Sequence, residues 1–296
     1  MPRLIVNADD FGLTSGVNRA IAEASSSGIV TSSTIMANSP RFGEAVEMAR
    51  RSGRLKTGCH IVLIDGQPLC EGITTLTNGA GRFRSSLKDF AGAAVRGQIR
   101  EEEVQREAEA QIRKVQSQGI EVTHVDSHKH THIFPRILRP VLRAAKACGV
   151  FAVRNPFEPW SSRPPGLVRS TPALWGRAAG VACFHLFARA FRRAIENESM
   201  RTTGGTIGIA VTGMLDQKLL SAMLERLPEG TWELVCHPGY ADAELAAAGT
   251  RLTRSREVEL AALTSEETRS LISRRGIELI SYAELPAAAP TAARPQ

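Results

Sequence analysis

The chain has 296 residues, 43% hydrophobic and 23% charged, enough apolar material for a sizeable core in one large domain or two small ones. No uninterrupted apolar run reaches transmembrane length, and "MPRLIVNADD" enters a strand with no signal-peptide pattern, so a cytoplasmic location is expected. The net charge of +7 comes from scattered arginines, with only 5% aromatic residues and no basic run interleaved with them, which argues against a nucleic-acid partner.

The first strand is "RLIVNA", Arg3 to Ala8, followed by the polar turn "DDFGLTSG". Thr14 or Ser15 is a suitable N-cap for the helix that stops at Gly28. "IVTSSTIMAN" gives the second strand, and "SPRFGEAVEMARRSG" a helix with Ser39 as N-cap and Pro40 at its first position. "LKTGCHIVLI" is the third strand. A Gly-rich irregular stretch then runs from Asp65 to about Gly97. The helix from about Ile99 to Gln118 is charged on one side and buries Val104, Ala108, Ile112 and Val115 on the other. "IEVTHV", a helix from "FPRILRPVLRAAKACG" and "VFAVRNP" come next. The region from Phe157 to about Arg201 starts rich in Pro and Trp. It continues as an apolar, arginine-ended helix suited to a core or a subunit interface. "TIGIAVTG", "WELVCHPG" and "IELISYAEL" supply the last strands.

Strands and helices alternate throughout, which implies parallel α/β architecture. Seven or eight strands without a Gly-rich dinucleotide turn favour a distorted TIM-like (β/α) barrel over a doubly wound open sheet. The expected organisation is a single barrel domain over 1–285, with insertions at about 65–97 and 157–201 and a disordered tail at 286–296. The five cysteines, Cys59, Cys70, Cys148, Cys183 and Cys236, form no CxxC motif; an odd count here suggests reduced thiols.

Four of the 7 histidines, His124, His128, His130 and His132, fall in "VTHVDSHKHTHIFP". If the strand continues through this stretch, Asp126, His128, His130 and His132 share one face. A carboxylate on that face favours metal binding over a surface patch or a metal-free proton relay, because neutral imidazole is the commonest metal ligand. In an α/β barrel, active-site residues lie at the C-terminal ends of strands. Those ends here carry Asp9 and Asp10, His60, the histidine cluster, Arg154 with Asn155, and His237. Two histidines and one carboxylate with open positions form a catalytic metal set, which Asp10, His60 and His128 can supply. The other aspartate of the pair is then free to act as a general base, and His237 to protonate a leaving group.

"LIVNADDFG", "GCHIVLIDGQPL", "THVDSHKHTHIFP" and "ELVCHPGY" together resemble the four motif blocks of the YdjC-like carbohydrate deacetylases, in family order. That family includes chitooligosaccharide deacetylases and deacetylases associated with hopanoid biosynthesis. The resemblance implies a distorted barrel holding one divalent ion, Mg²⁺ or Zn²⁺. It also implies hydrolysis of the N-acetyl group of an amino sugar, with release of acetate. Carried over, Asp10, His60 and His128 are the metal ligands, Asp9 the base and His237 the proton donor. Arg154 contacts substrate or orients a carboxylate. His130 and His132 face substrate or support the ligands, and Asp126 holds an imidazole in place. Cys59 stands where a bulkier apolar residue is commoner, and should face the core. A homodimer and a lipid-linked substrate are further expectations. The rival readings are a metal-dependent phosphoesterase on a similar barrel and a non-catalytic sugar- or lipid-binding protein.

Overall fold

The structure, a computed structural model, describes residues 1–159 and 184–286. The Trp175 part of the expected apolar helix and the tail beyond residue 286 lie outside the described residues.

Among the described residues, seven strands form one parallel sheet: β1 (Pro2–Phe11), β2 (Ser32–Ile35), β3 (Lys56–Ile61), β4 (Val122–Ser127), β5 (Thr206–Ile207), β6 (Gly230–Cys236) and β7 (Glu278–Ile280). Their order is β4-β3-β2-β1-β6-β5, with β7 also on β1. This is a curled, open half-barrel, as the alternating sequence implies. One edge of β1 pairs with β6 over Pro2–Ala8. The other edge is shared, β7 taking Arg3–Ile5 and β2 taking Asn7–Phe11. Thr31 sits at that fork, its hydroxyl accepting from the Val6 amide and donating to the Ile280 carbonyl at 2.7 Å. The expected strand at 150–156 is reduced to isolated parallel bridges, Val125 to Val153 and Ala152 to Arg201.

Period-two alternation sorts β1 cleanly. Leu4, Val6 and Ala8 enter the main core, which also takes Cys59. Ile5 faces the other way, in a small cluster with Ala152, Ile280, Tyr282 and Leu285. Asn7 and Asp9 follow on the Ile5 side, joined by a 2.9 Å hydrogen bond.

Several local expectations need correction. The second helix, α2, spans Phe42–Arg51, and Ser39 does not cap it. The Ser39 hydroxyl donates instead to the Met36 carbonyl, which leaves Ser39 and Pro40 in the preceding turn. Thr14 does cap α1 (Ser15–Ser26), accepting from the Val17 amide. The insertion at 65–97 contains a helix, α3 (Leu87–Val95). On α4 (Glu101–Gln116) the apolar stripe is buried as expected, yet Glu103 and Glu107 are buried as well. They accept backbone N–H groups of the insertion: Glu107 from Leu69 and Cys70, Glu103 from Thr74 and Thr75. A buried carboxylate needs such partners, and a loop without a ladder of its own needs such acceptors.

Candidate metal centre

Asp10 leaves the end of β1, His60 lies near the end of β3, and His128 is the first residue after β4. Two adjacent aspartates on a regular strand would point to opposite faces. Here Asp10 adopts a left-handed backbone, φ 67°, at an irregularity in the β1–β2 register, which lets both carboxylates reach the mouth of the barrel. A non-glycine residue held there stores strain, a recurring feature of functional sites.

Three ligand atoms converge. Asp10 Oδ1 lies 3.6 Å from His60 Nε2 and 3.3 Å from His128 Nδ1, and the two imidazole nitrogens are 3.3 Å apart. Donors about 2.1 Å from one ion lie about 3.4 Å apart in a tetrahedron and about 3.0 Å apart across an octahedral edge. The observed spacing fits donors arranged around one small divalent cation. Asp10 Oδ1 is also buried with no hydrogen-bond donor on it. The residues present therefore fit a metal ion.

His60 has a carboxylate hydrogen-bonded behind it, the arrangement that fixes the tautomer of a metal-binding histidine, and His128 has one nearby. His60 Nδ1 lies 2.7 Å from Asp126 Oδ1, as the sequence reading of Asp126 anticipated. His128 Nε2 faces Asp65 at 3.7 Å, and Asp65 is held by Lys129 at 2.6 Å. Burial pushes the His128 imidazole down, but Asp10 and Asp65 outweigh it and raise its pKa to about 9. Burial also pushes the Asp10 carboxyl up, but Arg256 and His128 hold it well below the usual carboxylate range.

The histidine run does not continue as a strand. Lys129 and His130 are left-handed, φ 54° and 53°, so the chain turns at His128 and the expected shared face breaks up. His132 is fully buried, its ring fixed between the Ser127 hydroxyl at 2.6 Å and the Arg154 carbonyl at 3.2 Å. That placement gives it a role in holding the turn and no face toward substrate. His130 is half-buried on the cavity wall, and its buried Nδ1 lacks a hydrogen-bond partner. His124 stacks on Tyr282, ring centroids 3.7 Å apart.

Arg154 is 0% exposed. Its guanidinium grips both oxygens of Asp9 at 2.7 and 2.8 Å, Asp126 at 2.5 Å and Glu233 at 2.6 Å. Of its two expected roles, this position is that of an orienter of carboxylates and gives it no access to a ligand. It also fills the second group with metal-ligand spacing, Asp9, His60 and Asp126. Burial raises the Asp9 carboxyl, but the Arg154 charge outweighs that, and Asp9 stays ionised at neutral pH. His237 Nε2 lies 3.9 Å from Asp9 Oδ2. Burial lowers the His237 pKa to about 4, so the ring is neutral at rest.

Glu233, Tyr282, Arg256, Glu259 and Asp65 belong to the site although the motif reading assigned them nothing. Glu233 carried a faint signal, a carboxylate inside an otherwise apolar strand. It accepts from Tyr282 at 2.6 Å and Thr206 at 2.9 Å. The metal set opens on a cavity of about 1330 Å³, whose wall includes the apolar Leu13, Met36, Val62, Phe83 and Leu252.

Fold and site together define a class: an open (β/α) barrel with two histidines and one carboxylate at metal-ligand spacing at the C-terminal ends of its strands, beside an ionised carboxylate. The comparisons agree. A family model described as YdjC-like protein matches residues 3–274. A carbohydrate deacetylase from Brevibacillus brevis is 33% identical over 96% of this chain and 99% of its own length, and one from Geobacillus stearothermophilus is 32% identical over 96% and 98%. A crystal structure from Enterococcus faecalis, described as a cellobiose-phosphate cleavage protein, superimposes with a TM-score of 0.73 at 28% identity, covering 95% of this chain and 97% of that one. The chain belongs to the YdjC-like family.

Proposed function

We propose that this protein is a metal-dependent hydrolase that removes the N-acetyl group of an amino sugar and releases acetate. The substrate class is a chito-oligosaccharide or a lipid-linked N-acetylglucosamine. The observation that carries the reading is the convergence of Asp10, His60 and His128 on one point beside Asp9, in a relative of carbohydrate deacetylases.

Asp10, His60 and His128 would hold the ion. Bound there, a divalent cation supplies Lewis-acid chemistry, polarising the acetyl carbonyl and easing deprotonation of water. The ion is Mg²⁺ or Zn²⁺, since two imidazoles and one carboxylate can serve either. Asp9, ionised and pinned by Arg154, accepts a proton from the attacking water. The amide C–N bond then breaks, and the nitrogen leaves with a proton from His237. Because His237 starts neutral and faces Asp9, the proton it delivers is the one Asp9 has taken up. Water and amide thus become acetic acid and amine, which ionise to acetate and ammonium by passing the second proton to the nitrogen, with no net proton left on the protein. His130 meets the sugar from the cavity wall. The volume and apolar lining of the cavity suit an acetamido sugar with an apolar aglycone.

A two-metal phosphoesterase is disfavoured, because the second carboxylate-rich group holds the Arg154 guanidinium. The test is incubation of Zn²⁺- or Mg²⁺-loaded protein with chito-oligosaccharides and lipid-linked N-acetylglucosamine, read by mass spectrometry. Loss of one acetyl group with stoichiometric acetate is expected. Phosphate release from phosphorylated sugars, with every acetyl group intact, would overturn the proposal.

A further inference from the structure

We infer that Arg256 is a positioning residue that keeps Asp10 a one-oxygen metal ligand, and that position 239 is glycine so that Arg256 can pass beneath the His237 loop. The inference rests on the metal reading of Asp10.

Arg256 belongs to the helix Ser255–Thr264, far along the chain from every residue of the metal set. It is 0% exposed. Its Nε donates to the Leu252 carbonyl at 3.1 Å, and its Nη2 donates to Asp10 Oδ2 at 2.5 Å. One Asp10 oxygen is therefore committed to a charged hydrogen bond, and only Oδ1 faces the two histidines. A carboxylate with both oxygens free can chelate, raising the coordination number and closing a position that substrate or water needs.

The route of Arg256 explains the glycine of "CHPG". A Cβ at position 239 would lie 2.8 Å from Arg256 Cδ, 3.1 Å from Val17 Cγ2 and 3.2 Å from Arg256 Cβ, so Arg256 makes the tightest contact. Gly239 is not among the positive-φ residues, so the requirement there is space rather than backbone freedom. The Gly239 amide also donates to the Arg256 carbonyl at 3.3 Å. One turn further along the same helix, Glu259 accepts the His237 amide at 2.6 Å. The helix thus fixes the loop that carries the proton donor and, through Arg256, the outer oxygen of Asp10.

The test is Co²⁺ substitution of wild type, Arg256→Gln, Arg256→Lys and Gly239→Ala, read by visible absorption and by kcat. Low-coordinate Co²⁺ absorbs more strongly than Co²⁺ with added ligands. Arg256→Gln is expected to take up Co²⁺ with weakened bands and to lose about 10–100-fold in kcat. Arg256→Lys should recover part of both, and Gly239→Ala should shift both in the same direction while retaining Arg256. If Arg256→Gln does not fold, Gly239→Ala and Arg256→Lys decide the outcome. Variants with wild-type bands and wild-type kcat would overturn the inference and leave the metal reading standing. A wild type that takes up no Co²⁺ would overturn both.

Discussion

The two ends of the chain contribute unequally to the centre. The first four strands, β1 to β4, deliver every proposed metal ligand: Asp10, His60 and His128 each sit at or just past a strand end. The last three, β5 to β7, span 2, 7 and 3 residues and deliver no ligand. That part of the chain supplies His237 and the groups that orient others: Glu233, Arg256, Glu259 and Tyr282. Arg154 stands between the halves, bonded to Asp9 and Asp126 of the first and Glu233 of the second. The contrast separates two jobs: the proposed donors all come from the first half, whereas holding them still is shared between Asp126 and Asp65 in that half and Arg256 in the second.

Substitutions can break this division. His128→Ala is expected to abolish metal uptake and turnover together, read by metal content after dialysis. Asp9→Asn should retain the ion yet lose about 10²–10⁴-fold in kcat, the usual cost of a missing general base. An Asp9→Asn variant with full turnover would show that the base lies elsewhere. Arg154→Met strips the shared cation from three buried carboxylates and should cost about 3–5 kcal/mol in urea unfolding. Tyr282→Phe leaves Thr206 on Glu233 and should cost only about 1 kcal/mol, with metal content unchanged. Loss of the ion in Tyr282→Phe would erase the distinction between donors and holders.

A pH series sharpens the same contrast. The His128 pKa is raised from 6.5 to about 9 in the metal-free fold. A raised folded pKa gives stability that is complete below 6.5 and is lost as pH rises through 9. The melting temperature of metal-free protein should therefore fall across that window. Metal uptake at pH 7–8 should release a proton from His128, read by calorimetry in buffers of different ionisation enthalpy. His128→Asn should flatten the thermal trend.

The same division governs what could be read without coordinates. Strand ends are local patterns: "NADD", "GCHIV" and "VDSH" announce polar groups after apolar runs, and the alternation of strands and helices announces the parallel sheet. The left-handed turns at Asp10 and at Lys129–His130 leave no comparable mark, so the histidine run reads as one face when the chain in fact folds at His128. The pairings of Arg154 with Asp9 and of Arg256 with Asp10 join residues 145 and 246 positions apart. Arg154 stands out at a strand end without revealing its partners, and Arg256 looks like an ordinary surface arginine until the barrel buries it. Glu103 and Glu107 mislead for the same reason, since their acceptor role depends on a loop that packs against them only in the fold.

The most direct test of the central claim is an anomalous-difference map from crystals of the protein grown with Zn²⁺. The account predicts a single peak within bonding distance of Asp10 Oδ1, His60 Nε2 and His128 Nδ1. A peak bonded to other side chains, or three such atoms with no ion between them at saturating Zn²⁺, would contradict it.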